Sequence, residues 1–158
     1  MPNDAKTVFN DFVQWLVGRK VQAASLFLNS LRVCIECKFG EKIGLFLWFD
    51  PVWHFGGPKG ILVGSRQAQV EERDAHAALD LLVQELLGKQ VERVCVDALT
   101  SDIDVQFSGG YWVRTFVSDP TDEMNWYFWD KQKNIVVSGS AGGLQLEDRP
   151  QHSDENMP

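Results

Sequence analysis

The residues best suited to chemistry are three cysteines, three histidines and several closely spaced carboxylates. Cys34 and Cys37 form a Cys-x-x-Cys pair, a spacing used by zinc ligands and dithiol redox sites. The alternation around them reads as a strand, however, and residues three apart on a strand project to opposite faces. The two thiols are therefore expected to diverge. No second cysteine pair follows and no histidine stands at finger spacing, so no metal ligand set is assigned. His54 lies between Trp53 and Phe55 at an expected strand start, with Asp50 and Ser65 as the available acid and nucleophile. Spacing does not join these three, and His54 reads as a structural or surface residue. His76 is placed on the solvated side of a helix beside Arg73 and Asp80, and His152 in a polar tail. No catalytic residue is assigned, and no cofactor.

Two further constellations resolve in the same way. Ser138-Gly139-Ser140-Ala141-Gly142-Gly143 offers backbone amides, but phosphate loops need a following helix and usually a lysine. Here Leu144-Gln145-Leu146-Glu147 follows, so the stretch reads as a flexible connector. Asp102 and Asp104 alternate with apolar neighbours and read as the wet side of a strand.

The segment with most to offer a partner is Asp119-Pro120-Thr121-Asp122-Glu123-Met124-Asn125-Trp126, followed by Tyr127-Phe128-Trp129-Asp130. Aromatics supply contact area at low entropic cost, and acids around them steer a basic partner. Asp119, Asp122, Glu123, Trp126, Trp129 and Asp130 are the candidate partner-binding residues. The plainer alternative puts Trp126 and Phe128 in the core and Tyr127 and Trp129 on the opposite sheet face, with the acids as a solvated loop.

The elements that position these residues repeat. Gly18 in LVGRKV and Gly88 in LLGKQV are 70 positions apart, and Val21 then meets Val91, Val33 meets Ile103 and Ile35 meets Val105. Asp50-Pro51 matches Asp119-Pro120, Trp53-His54-Phe55 matches Trp126-Tyr127-Phe128, and Ile61-Leu62-Val63 matches Ile135-Val136-Val137. Each unit opens with an amphipathic helix. One carries Val8, Phe9, Phe12, Val13 and Leu16, and is capped by Asn3 or Asp4. The other, over 71–87, carries Ala75, Ala78, Leu79, Leu82, Val83 and Leu86, and Gly18 and Gly88 end the two helices. The period then changes to two, as in Val33, Ile35, Cys37 and Phe39 or Ile103, Val105 and Phe107, with the intervening residues on a wet face. Short turns at Gly40, Gly109-Gly110, Gly56–Gly60 and Asp130–Asn134 imply antiparallel meanders.

The expected fold is thus α+β: two tandem copies of a helix followed by four or five antiparallel strands. The units span 1–66 and 67–146, with a polar tail over 147–158.

The totals bound the function. The chain has 158 residues, a hydrophobic fraction of 44%, six Trp and ten Phe, and 22 acidic against 15 basic residues for a formal charge of −7. Such a chain buries enough surface to fold without a staple. The acidity argues against nucleic acid and against anionic membranes, and favours a basic partner. An odd cysteine count argues against a disulfide scaffold. The opening MPNDAKTVFNDFVQW has no basic stretch before an apolar run, and no segment approaches a membrane span. A cytoplasmic, soluble protein is expected.

Size, acidity, abundant Trp and phrases such as LLGKQVERVCVD, DIDVQFSGGYW and NWYFWD give the whole chain a resemblance to small bacterial cytoplasmic proteins of the toxin-immunity kind. The resemblance carries no specific motif, so it transfers no functional residue. It implies stoichiometric occlusion of a cognate toxin and no chemistry, with Asp122, Glu123, Asp130 and Trp129 set against a basic toxin such as a nuclease or deaminase. The alternative is a small-molecule-binding or sensor domain with an aromatic pocket between the two units. An enzyme whose residues meet only in three dimensions is a third.

Overall fold

Asp4 opens the first helix, α1 (Ala5–Leu16), by accepting the Thr7 amide at 2.7 Å, a bond that holds its carboxyl below the usual range. The structure is a computed structural model, and it describes residues 4–36, 44–116 and 124–148. α1 buries Phe9, Phe12 and Leu16. The second helix, α2 (Arg73–Val83), is capped by the Glu72 carboxylate on the Asp74 and Ala75 amides. It tightens into a 3-10 turn at Gln84–Leu86 and buries Leu79, Val83 and Leu86. Leu82, expected in that stripe, is 38% exposed.

Among the described residues eleven strands follow the helices: β1 (Val21–Phe27), β2 (Ser30–Ile35), β3 (Leu45–Phe49), β4 (Trp53–Gly57) and β5 (Gly60–Gly64) after α1, then β6 (Val91–Val96), β7 (Ile103–Phe107), β8 (Tyr111–Thr115), β9 (Met124–Asp130), β10 (Ile135–Ser140) and β11 (Gly143–Asp148) after α2. All pair antiparallel, in a six-stranded sheet of order β1-β2-β3-β9-β10-β11 and a five-stranded sheet of order β5-β4-β8-β7-β6.

The α+β class and the antiparallel pairing agree with the sequence, but the arrangement is not two self-contained meanders. The β4–β5 hairpin leaves β1–β3 and joins β8, with Phe55 opposite Val113. The strands β9–β11 leave β6–β8 and join β3, with Phe128 opposite Leu47. Both sheets therefore draw strands from each side of residue 66. Consecutive strands need not be neighbours when the connection between them can cross from one sheet to the other.

The two halves meet at their helix-to-strand junctions. The Gly18 amide donates to the Val91 carbonyl at 2.8 Å, and the Gly88 amide to the Val21 carbonyl at 2.9 Å. The Val21 amide donates to Lys89 and the Val91 amide to Arg19, both at 2.9 Å, around an isolated bridge between Lys20 and Gln90. Gly18 and Gly88 hold φ of +89° and +77°, a region that favours glycine. Between the sheets lies one core containing Phe9, Phe12, Phe49, Trp53, Phe55, Phe107, Trp126 and Phe128. Each central Trp ties its strand to a hairpin turn on the other sheet: Trp53 Nε1 donates to Asn29 O at 2.9 Å, and Trp126 Nε1 to Ser101 O at 2.8 Å. Phe9 packs on both Trp126 and Phe128.

Three local expectations need correction. β2 has no wet face at Cys34, which is fully buried beside Phe46, Tyr127, Trp129 and Val136 in a second cluster. Ser138–Gly143 is not a flexible connector, because β10 and β11 form a hairpin through it with Ser138 opposite Gln145. The polar tail does not begin at Glu147, since β11 runs to Asp148. The turn at Gly40 and the alternation at Cys37 and Phe39 lie outside the described residues.

Two predictions follow from this interlocking. Cutting the chain between Val70 and Glu71, ahead of α2, should leave fragments that are each largely unfolded and recover strand signal by circular dichroism only when mixed. Either fragment folding alone would contradict the exchanged pairing. At Gly139 an added Cβ would lie 2.3 Å from the Trp126 ring, which is buried and hydrogen-bonded; at Gly56 it would lie 2.1 Å from Trp112, which is only part-buried. Gly139→Ala should therefore cost about 1–3 kcal/mol in urea unfolding, and Gly56→Ala distinctly less, because Trp112 can swing outward.

Candidate functional site

Of the sequence-predicted contacts, Trp126 and Trp129 do not lie at the surface. Asp119, Asp122 and Glu123 lie outside the described residues. Trp126 has no exposed surface, and Trp129 has 3%. Alternation along β9 sends Trp126 and Phe128 into the main core and Tyr127 and Trp129 into the second cluster, so both faces are covered. Tyr127 stacks on Trp48 at 5.7 Å, and Lys131 sits over the Phe46 and Trp129 rings at 4.5 and 5.1 Å. These Trp side chains supply stability rather than open contact area. Beside this cluster Arg32 is half-buried over Phe27, and burial pulls its pKa below the usual range against the opposing influence of Asp80 and Tyr127.

Asp130 is the candidate that reaches an open site. One of its oxygens caps the β9–β10 turn by accepting the Gln132 and Lys133 amides, each at 3.0 Å. The residue also lines a cleft of about 410 Å³ under α1. The first half of the chain supplies Val8, Asp11, Phe12, Trp15, Glu36 and Leu45, and the second half Asp130, Gln132, Lys133 and Ile135. An apolar floor thus carries three carboxylates and one ammonium. Helical spacing puts Val8, Asp11, Phe12 and Trp15 on one side of α1. On the outer side of Trp15, Arg19 lies with its guanidinium carbon 4.1 Å from the ring centroid. Arg19 Nε donates to the Trp15 carbonyl at 2.6 Å, and its Nη1 pairs with Glu36 at 2.7 Å. Both partners of that ion pair are more than a third exposed, so it orients more than it stabilises. The Asp11 carboxylate makes no ion pair with any described residue.

Sequence reasoning missed Val8, Asp11, Phe12, Trp15, Glu36, Leu45, Lys133 and Ile135 as a site. A signal was present: Asp11 and Trp15 stand one helical turn apart beside the apolar stripe, so the helix must present an acid and an indole together.

The other candidates are accounted for locally. The His54 ring packs on Phe116 at 4.7 Å, while the buried Ser65 hydroxyl accepts the Trp53 amide at 3.1 Å. No hydrogen bond joins His54, Ser65 and Asp50 among the described residues. Asp50 instead accepts Ser30 Oγ and Trp48 Nε1, both at 2.6 Å. Asp104 pairs with Arg114 at 2.8 Å, and Asp102 accepts the Thr115 hydroxyl at 3.1 Å. His76 Nε2 meets the Leu28 carbonyl at 3.0 Å and so ties α2 to the β1–β2 turn. Among the described residues no group of three or more His, Cys, Asp or Glu could hold a metal ion, and no helix is long and apolar enough to cross a membrane.

Cys34 is disulfide-bonded and Cys95 is free and exposed, while Cys37, on which the expectation of diverging thiols also rests, lies outside the described residues. Iodoacetamide added to protein purified without reductant should accordingly label Cys95 and spare Cys34 until the sample is reduced and denatured. Label on Cys34 in the native, unreduced sample, read by peptide mass mapping, would contradict this.

No family model, curated protein or solved structure matches the chain.

Proposed function

We propose that the chain is a non-enzymatic protein-binding domain of the toxin-immunity kind, built from two copies of one α-plus-β unit, that neutralises a basic partner by direct contact. The observation that carries this reading is the α1 cleft, where Asp11, Glu36 and Asp130 ring an apolar floor of Phe12, Trp15, Leu45 and Ile135. An apolar floor rimmed by three carboxylates against one ammonium is the chemistry of a specific protein contact, and the net charge of −7 steers a basic surface toward it. Support for the duplication comes from the four reciprocal junction hydrogen bonds, whose donors and acceptors recur 70 positions apart. Asp119, Asp122 and Glu123 remain candidate contacts in addition to Asp130. A cytoplasmic location belongs to the same proposal. The Cys34 disulfide bears on it, because such bonds persist mainly in oxidising compartments. Cys34 recovered reduced from rapidly acid-quenched cells would agree with a cytoplasmic site, and Cys34 recovered oxidised would move the protein out of it.

A second reading has one observation in its favour. The cleft lies between the two halves and its volume falls in the range of small-ligand sites, so an amphipathic small molecule would fit it.

The two readings separate in a pull-down from host lysate at low salt, with Asp11→Lys/Asp130→Asn as the control bait. Asn keeps the oxygen that caps the β9–β10 turn, so the control should fold. A basic protein retained in equal stoichiometry by the wild type and lost by the control supports protein binding. Raising the salt should release it, because exposed charges are screened within about 8 Å at physiological ionic strength. If instead the lysate's small-molecule fraction alone raises the melting temperature of the wild type and not of the control, the ligand-binding reading replaces it.

A further inference from the structure

We propose that the α1 cleft seats an arginine side chain carried on an apolar segment of a protein partner, with the guanidinium between Asp11 and Asp130 and its apolar neighbours on Phe12, Leu45 and Ile135. This rests on the protein-binding reading above and names the chemistry of the occupant.

Three observations converge on that choice. The first is charge: three carboxylates and a single ammonium line the cleft, and neither Asp11 nor Asp130 has a cationic partner among the described residues. The second is an internal precedent. Arg19 already shows how this surface holds a guanidinium, stacked 4.1 Å from the Trp15 centroid with Glu36 at 2.7 Å. A planar, weakly hydrated cation suits an indole face and a carboxylate together, whereas a compact ammonium loses the stacking and the forked hydrogen bonds.

The third is the corresponding place in the other half, which has a different composition. The positions 70 residues after Asp11, Phe12 and Trp15 are Leu81, Leu82 and Glu85. Tyr111, which opens β8 as Leu45 opens β3, stacks on Phe55 at 6.0 Å and reaches Glu85 through its hydroxyl at 3.4 Å. Lys89 lies 5.2 Å from the same ring. There the helix and the strand are bridged by a side chain of the protein itself. At the α1 cleft Leu45 is too short to do so, and acids and an indole surround the space that is left.

The test uses the full chain and a fluorescein-labelled peptide of alternating leucine and arginine pairs, read by fluorescence anisotropy. A second peptide carries citrulline in place of each arginine, which keeps the shape and removes the charge. Two protein variants lose the same formal charge: Asp11→Asn/Asp130→Asn within the cleft, and Glu71→Gln/Glu92→Gln at exposed positions outside its lining. The arginine peptide should bind the wild type, and the citrulline peptide roughly tenfold or more weakly. The cleft variant should lose a similar factor, while the distant variant stays within about twofold of the wild type. Equal weakening of the two variants would reduce the effect to net charge and overturn the proposal, as would equal binding of the two peptides. Absence of binding by the arginine peptide at millimolar concentration would overturn it as well. A natural partner captured equally by the wild type and the cleft variant would remove this seat while leaving the protein-binding reading in place.

Discussion

Four main-chain hydrogen bonds fix where everything else goes. At each helix end a glycine with positive φ turns the chain, and its amide meets the carbonyl of the first strand residue of the other half: Gly18 with Val91, Gly88 with Val21. The space around a Cβ at either glycine is empty, so conformation and not crowding makes the requirement. The returning bonds, Val21 to Lys89 and Val91 to Arg19, close the set. Because donors and acceptors are all main-chain, the junction tolerates varied side chains but no insertion. It starts β1 and β6 side by side and antiparallel, and each leads its own sheet away from that point. The helices follow from it too: α1 packs chiefly on β6, β10 and β11, and α2 on β1 and β5, so each helix lies on strands of the other half and touches both sheets.

Exchange of the later strands is the second consequence. A three-stranded sheet such as β1–β3 has one edge at β1 and another at β3, and an exposed edge is open to unwanted pairing. β9 covers β3 and β4 covers β8, so the inner edges vanish and the outer ones fall on β1, β11, β5 and β6. The core inherits this arrangement. Trp53 and Trp126 stand on the exchanged strands, and each anchors its indole N–H to a turn carbonyl on the opposite sheet. A fully buried Trp whose single donor is satisfied contributes its whole apolar area without a desolvation penalty. The sheets are thus linked through chain exchange at one end and through indole hydrogen bonds in the middle.

How much of this was legible depends on which physical quantity the sequence carries. Three helix ends were readable because Asp4, Gly18 and Gly88 act locally. The match of Val21 with Val91 is also local, and both strands bear a register shift directly after that residue. From β2 onward the matching slipped. The ladders set Leu31, Val33 and Ile35 in the places held by Ile103, Val105 and Phe107, two residues from the sequence match, because the β6–β7 turn is longer than the β1–β2 turn. A two-residue slip keeps every side chain on its face, so alternation cannot detect it. Burial on both faces was invisible for a related reason. Periodicity separates the two faces of β9 but does not say that Tyr127 and Trp129 are covered as completely as Trp126 and Phe128. The exchange itself left no mark, since pairing between distant strands depends on the whole assembly and not on any window of residues.

The candidate site was illegible because it arises where the two halves differ. β7 passes to β8 through the tight turn Ser108–Gly110, where Gly110 lies so close to Pro58 that an added Cβ would meet the ring at 2.9 Å. That contact brings the β4–β5 turn against the β7–β8 turn, and Tyr111 closes the remaining gap to α2. The corresponding β2–β3 connection is longer, and β3 begins with Leu45, so Phe12, Trp15 and Ile135 keep an open side. Opening an apolar cleft normally has a cost, because its lining loses the packing that a filled core would give. Here the cost is offset locally by Arg19, which covers one face of Trp15, and by carboxylates that keep the rim hydrated. An open cleft with an acidic rim on a scaffold that fills the corresponding place elsewhere departs from the best packing for stability, and departures of that sort are where binding sites are found.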